Sequence, residues 1–188
     1  MAQQQAIVAG GCFWCTEAVM KDVIGVSEVE SGYIGGDKPD PTYKEVCTGN
    51  TGHAEGVRVT FDDAQITLGQ LYDVFLGTHD PTQLNRQGND IGSQYRSAVF
   101  YESDAQKQLV QAYIRQLDES GVYPAPVVTS LEPLTAFYPA EAHHQNFAAR
   151  NPFQPYIMAV AAPKMEKLAS AWPDRLKPEF SQDDPNLA

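Results

Sequence analysis

Cysteine, basic charge and long apolar runs are all scarce in this chain, and each scarcity removes a class of protein. The 188 residues hold 3 cysteines, an odd number that builds no disulfide framework and leaves reactive thiols, metal ligands or buried apolar residues. Lys and Arg total 13 against 24 Asp and Glu, a net charge of -11. Such a chain repels phosphate backbones and anionic lipid, and no local basic cluster offsets this, so neither nucleic acid nor a membrane surface is an expected partner. No window approaches the ~18 apolar residues of a membrane span. The first residues lack a basic segment followed by an apolar stretch and a cleavage site, so the expected location is cytoplasmic. Repeats, low-complexity runs and linkers are also missing. With 43% hydrophobic and 20% charged residues, the length suits one filled core, and a single domain over 1–188 is expected.

What is present alternates between strands and helices. Ala6 to Ala9 reads as a strand, broken by Gly10-Gly11 before a helix that carries Cys12, Cys15 and Val19 on one face. Further strands are expected over 25–33, after Glu55, over 97–101 and in PVVTSLEP. Thr67 is a candidate N-cap for LGQLYDVFLG, and Ser103 with Gln106 a capping box for a helix closed by Gly121. AEAHHQNFAARN reads as one short helix, with TYKEV as a single helical turn. No regular βαβ period appears, which predicts an α+β two-layer sandwich on a mixed sheet. Two segments, IGGDKPDPTYKEVCTGNTGHAE and THDPTQLNRQGNDIGSQYR, run to roughly three times the usual connection length, and loops that long are usually functional.

The CxxC of GCFWC admits several readings. A thiol in the first turn of a helix meets unpaired N–H groups and the positive end of the helix dipole, which favour thiolate and make Cys12 a candidate nucleophile. A buried inert cysteine is the plainer alternative. Zinc could draw on Cys47, His53, His143 and His144, but there is no second CxxC, and Phe13 and Trp14 between the thiols suit an apolar pocket better. A thioredoxin-type fold needs more chain before its motif than the eleven residues found here. A non-catalytic module that binds peptides through a recess at Phe13 and Trp14 is a further alternative.

Five blocks then become specific: GCFWCTE at 11–17, GYIGG at 32–36, PTYKEVCTGNTGHAE at 41–55, HDPTQLNRQGNDIGSQYRS at 79–97 and YPAEAHHQNF at 138–147. Together they resemble the peptide-methionine (S)-S-oxide reductase family of MsrA type, over a core of about 7–150 with 151–188 as a C-terminal extension. The resemblance implies a ferredoxin-like α+β fold, reduction of the S epimer of methionine sulfoxide, free or in proteins, and no metal or organic cofactor. It implies Cys12 as nucleophile and Glu55 as general acid. Tyr43 and Tyr95 would be hydrogen-bond donors to the sulfoxide oxygen, Asp90 an organising carboxylate, and Phe13 and Trp14 a recess for the S-methyl group. Many relatives resolve the sulfenic acid with a tail cysteine. This chain has none after residue 47, so Cys15 is expected to resolve, thioredoxin to reduce the disulfide, and the enzyme to act as a monomer. Cys47 is expected to be a buried, non-redox residue, and His53, His143 and His144 to be structural. As a proton donor near neutral pH, Glu55 needs a raised pKa, which burial against aromatics would supply.

Overall fold

The computed structural model describes residues 3–180. Its sheet has six strands: β1 (Gln3–Gly10), β2 (Val26–Ile34), β3 (Ala54–Asp62), β6 (Ser97–Tyr101), β7 (Ser130–Pro133) and β8 (Tyr138–Pro139). The order is β7-β6-β1-β3-β2-β8. Only the β6–β7 pair is parallel, which makes the sheet mixed. Helix α1 (Phe13–Lys21) joins β1 to β2, and α3 (Leu68–Thr78) joins β3 to β6. The four central strands with these two crossovers form the split βαβ arrangement called ferredoxin-like.

Period-two alternation decides which side chains face the helices. On β3, Val57, Val59 and Phe61 point into the main core with Ala6 and Val8 of β1 and Val99 of β6. Phe13, Val19 and Met20 of α1 and Leu71, Val74 and Phe75 of α3 close over them. Glu55 continues the same alternation one step beyond Val57, so a carboxyl enters the layer that its neighbours fill with hydrocarbon. The opposite face carries a smaller apolar cluster of Ile7, Ala9, Ile34, Ala54, Ala98 and Phe100, packed against Leu134 and Phe137.

The two long connections carry local structure of their own. Between β2 and β3 lies α2 (Tyr43–Cys47), started by a full capping box between Thr42 and Glu45. Between α3 and β6 lie the short hairpin of β4 (Arg86–Gln87) and β5 (Asp90–Ile91), then a 3₁₀ turn (Ser93–Tyr95). Arg96 forks onto Glu132 of β7 at 2.9 and 3.0 Å and fixes the end of that loop to the sheet edge. Thr67 caps α3 with a reciprocal Gln70 bond, as expected. Helix α4 (Asp104–Ser120) starts on Ser103, but the Gln106 side chain reaches back to the Glu102 amide rather than to the cap itself. Gly121 ends it in the left-handed conformation.

AEAHHQNFAARN is not one helix. It divides into a 3₁₀ turn (Ala142–His144) and α5 (Phe147–Arg150), with Asn146 left-handed between them at φ 59. The cause is Gln145, whose side-chain amide takes the place of a strand residue. It accepts from Ser31 N and donates to Ser31 O and Ala140 O. Beyond it, a π-helical turn (Ile157–Ala161) leads into α6 (Ala162–Ala171), which packs on α1 and α3 and contributes Leu168 to the core.

Candidate active site

Cys12 is the N-cap residue of α1, presented directly after β1 by the Gly10-Gly11 break. Gly11 has φ +92, and a Cβ there would lie 2.8 Å from Gln87, so the loop bearing Asp90 closes onto the start of α1 only because this residue is glycine. The first free amides of α1 are divided between two acids. Phe13 N donates to Glu55 Oε1 at 3.2 Å, while the Trp14 amide serves the Cys12 sulfur.

This division overturns the expectation that the helix start makes Cys12 acidic. Burial, then the neighbouring Glu55 charge, then Cys15 push the Cys12 thiol well above its ordinary range, and the Trp14 amide and Tyr156 hydroxyl oppose this only in part. Glu55 is 1% exposed. Its Oε2 has no hydrogen-bond partner among the described residues. Burial, with a further contribution from Asp90, raises its pKa to about 8, against the pull of the Phe13 amide and the Cys12 thiol. The carboxyl is therefore mostly protonated at neutral pH, and while it is neutral it no longer holds the Cys12 thiol up by charge.

Tyr43, the first residue of α2, and Tyr95, the last of the 3₁₀ turn, are half-buried near Glu55. Burial first, then the Glu55 charge, raises both phenols, so both remain hydrogen-bond donors. Asp90 accepts a hydrogen bond from the Tyr156 hydroxyl. That hydroxyl oxygen also lies 4.0 Å from Cys15 Sγ. Cys12, Glu55, Tyr43, Tyr95, Asp90 and Cys15 are thus gathered into one electrostatically coupled group.

Phe13 is fully buried, its ring centroid 5.7 Å from Tyr33, 6.3 Å from Tyr43 and 5.4 Å from His144. Trp14 stacks on Phe147 at 3.9 Å and meets Tyr156 edge-on at 5.9 Å. Its indole Nε1 donates to His144 Nδ1 at 3.2 Å. All three cysteines are free thiols. Cys15 is buried at 1% exposure beneath Tyr156. Cys47 is exposed, contrary to expectation, because α2 is a five-residue helix that buries only Val46. Its thiol is raised by burial, with hydrogen bonding to Tyr43 and Tyr95 pulling the other way, so it stands at the edge of the site.

His53 takes no part in this group. Its Nδ1 accepts from Gly36 N at 3.0 Å, and its Nε2 pairs with Lys38 O at 2.7 Å, which braces the first long loop. The sequence carries no signal for Tyr156, and His144, expected to be structural, lies against Phe13, Trp14 and Tyr43. PFQPYIM has no periodicity that would single out a tyrosine. The adjacent histidines were the one visible signal for His144.

The chain is similar to known proteins over nearly its whole length. Residues 4–176 match the family described as peptide methionine sulfoxide reductase, past the blocks in which the sequence resemblance is concentrated. The peptide methionine sulfoxide reductase MsrA of Deinococcus radiodurans is 56% identical over 176 residues, covering 94% of this chain and 85% of that protein. The structure of Mxr1 from Saccharomyces cerevisiae in reduced form superposes with a TM-score of 0.75 at 34% identity, over 81% of this chain and 87% of the other. Methionine sulfoxide reductase A of Corynebacterium diphtheriae gives 0.72 at 34% identity, over 81% and 76%. An alternating strand that buries a protonated carboxyl beside a helix-capping thiol thus occurs in a chain that belongs to the peptide methionine sulfoxide reductase family.

Proposed function

We propose that this chain reduces the S epimer of methionine sulfoxide, free or in proteins, with Cys12 as the attacking thiol and Cys15 as the resolving one. The observation that carries the residue roles is the protonated, buried Glu55 beside Cys12. Cys12 sulfur attacks the sulfoxide sulfur while the Glu55 proton goes to the oxygen, which Tyr43 and Tyr95 hold by hydrogen bonds, and the Cys12 thiol proton passes to the Glu55 carboxylate so that the acid is restored. Breakdown of the adduct releases methionine and leaves Cys12 as a sulfenic acid. The Cys15 thiol then displaces that oxygen as water and forms the Cys12–Cys15 disulfide. A dithiol protein of thioredoxin type reduces the disulfide by exchange, restoring both thiols. Phe13 and Trp14 provide a dry recess for the methyl group, and Asp90 with Tyr156 orients the group around the sulfur atoms. Because Cys15 N bonds to Cys12 O at 3.1 Å in the first turn of α1, closing the disulfide loosens that turn.

The chemistry needs no metal or organic cofactor. The chain is proposed to act as a monomeric cytoplasmic enzyme with one catalytic domain. Among the described residues no helix is long and apolar enough to cross a membrane.

Treating reduced protein with one equivalent of the S-sulfoxide and mapping the product by mass spectrometry tests this reading. The expected result is one equivalent of methionine and a Cys12–Cys15 bond, with no reaction from the R epimer. A second reading, favoured by the exposure of Cys47 beside Tyr43 and Tyr95, gives that thiol the resolving role, and a Cys12–Cys47 bond would establish it instead.

A further inference from the structure

Next to the proposed recess lies a cluster that the reductase chemistry does not use, and its outer member, His143, takes no part in the recess. One carboxylate oxygen of Glu141 and one imidazole nitrogen from each of His143 and His144 lie within 4.8 Å of one another. His144 is 3% exposed, yet its Nε2 has no hydrogen-bond partner among the described residues. That nitrogen faces Glu141 Oε2 at 3.7 Å. The other Glu141 oxygen accepts from the Tyr33 hydroxyl at 3.1 Å, which orients the carboxylate. Arg150 holds the carbonyls of His143 and Gln145, each at 2.8 Å, and so fixes the backbone that presents both rings. His143 is exposed and can turn.

We propose that Glu141, His143 and His144 bind a borderline divalent metal ion, Zn2+ foremost, and that this ion and the Trp14–His144 hydrogen bond exclude each other. Two imidazoles and one carboxylate select zinc over magnesium or calcium and leave a fourth position for water. Tetrahedral zinc, with bonds of about 2.0–2.1 Å, sets its ligand atoms roughly 3.4 Å apart, so rotation of the exposed His143 closes the site.

The exclusion follows from the tautomer. Trp14 Nε1–H donates to His144 Nδ1, so the single ring proton of neutral His144 resides on Nε2. Coordination at Nε2 needs the lone pair there, and the proton passes through water to Nδ1. Nδ1–H then points at the indole N–H, two donors face each other, and Trp14 leaves its position. No electrons are transferred; one proton changes nitrogen, and one hydrogen bond is exchanged for metal–ligand bonds. Zinc would thus open the methyl recess and lower turnover without touching the reactive thiols. That last consequence rests on the proposed reductase role of Trp14, whereas the binding site does not.

The test is a Zn2+ titration of the full chain carrying Cys12→Ser, Cys15→Ser and Cys47→Ser in every binding sample, which removes competing thiols without closing the disulfide, in chelator-free buffer, followed by bound metal and tryptophan emission. With His143 retained, the chain should bind one equivalent with a change in emission that EDTA reverses. His143→Ala and His143→Gln, both at an exposed position, should weaken binding at least about 10-fold and abolish the emission change. In turnover assays Zn2+ should inhibit wild type reversibly and leave the His143 variants, whose basal activity is unchanged, uninhibited. Equal affinity with and without His143, or no stoichiometric binding, would overturn the site. Binding that depends on His143 but leaves turnover untouched would overturn the antagonism with Trp14. Since binding is read without substrate on protein that has no thiols, its failure is distinguishable from failure of the reductase reading.

Discussion

Two glutamates are buried on the helix side of the sheet, and they are treated differently. Glu17 of α1 accepts from the Ser31 hydroxyl at 3.1 Å. Burial raises its pKa, but Lys21, Ser31, the Asn146 backbone and Arg150 all counter that rise. No cation among the described residues offsets the burial of Glu55 of β3; Asp90 adds to the effect of burial, and only an amide and a thiol oppose it. The first carboxyl is accommodated as a structural group. The second is left holding a proton where the fold would be more stable with an amide, and the difference marks a position kept for chemistry rather than for stability.

The largest effect that separates the pair is on rate. Glu55→Gln should lower the first-turnover rate with methionine S-sulfoxide at least about 10²-fold, the usual contribution of a general acid, while Glu17→Gln stays within about twofold. Rapid-quench assay of methionine formation checks both, and comparable losses in the two variants would erase the distinction.

Stability against pH comes next. Folded Glu55 keeps its proton to about pH 8, whereas the unfolded chain releases it near 4.5, so wild type loses stability as pH rises between these values. The stability advantage of Glu55→Gln over wild type should therefore grow between pH 5 and pH 9, by on the order of 4 kcal/mol. Denaturant melts at the two pH values measure it. A pH-independent difference would mean that Glu55 is ionised in the folded protein.

Smaller again is the contribution of each phenol. Tyr43→Phe and Tyr95→Phe should each slow the first turnover by roughly 10- to 100-fold, below the loss expected of a main oxyanion donor because two phenols share the oxygen. Neither change should affect Glu17. The smallest effect is expected from Lys21→Met, which removes the foremost charge favouring ionised Glu17 and the bond from Lys21 to Asn146. It should cost about 1 kcal/mol or less in a melt and leave turnover unchanged.

The legible part of this molecule was whatever is decided within a few residues. β6 is legible at its observed bounds because a short apolar run ends at turn formers, and the starts of α3 and α4 follow from Thr67 and Ser103. The site residues were named through family resemblance; no local pattern distinguishes Glu55 from an edge carboxylate. Failures came where distant chain intervenes. Cys12 was read as acidic from its helix alone, but β3 brings Glu55 to the same amides. The break at Gln145 depends on the edge of β2 just beyond its pairing with β8, which no local sequence reveals. Tyr156 reaches Cys15 across 141 residues of sequence separation.

That tyrosine has a consequence for anyone shortening or re-engineering the chain. The segment beyond residue 150 brings no thiol and looks dispensable for redox exchange, yet it supplies the hydroxyl that joins Asp90 to the neighbourhood of both active-site sulfurs. A shortened variant ending before Tyr156 would keep its nucleophile, its acid and its resolving partner, and would lose the cover under which they meet.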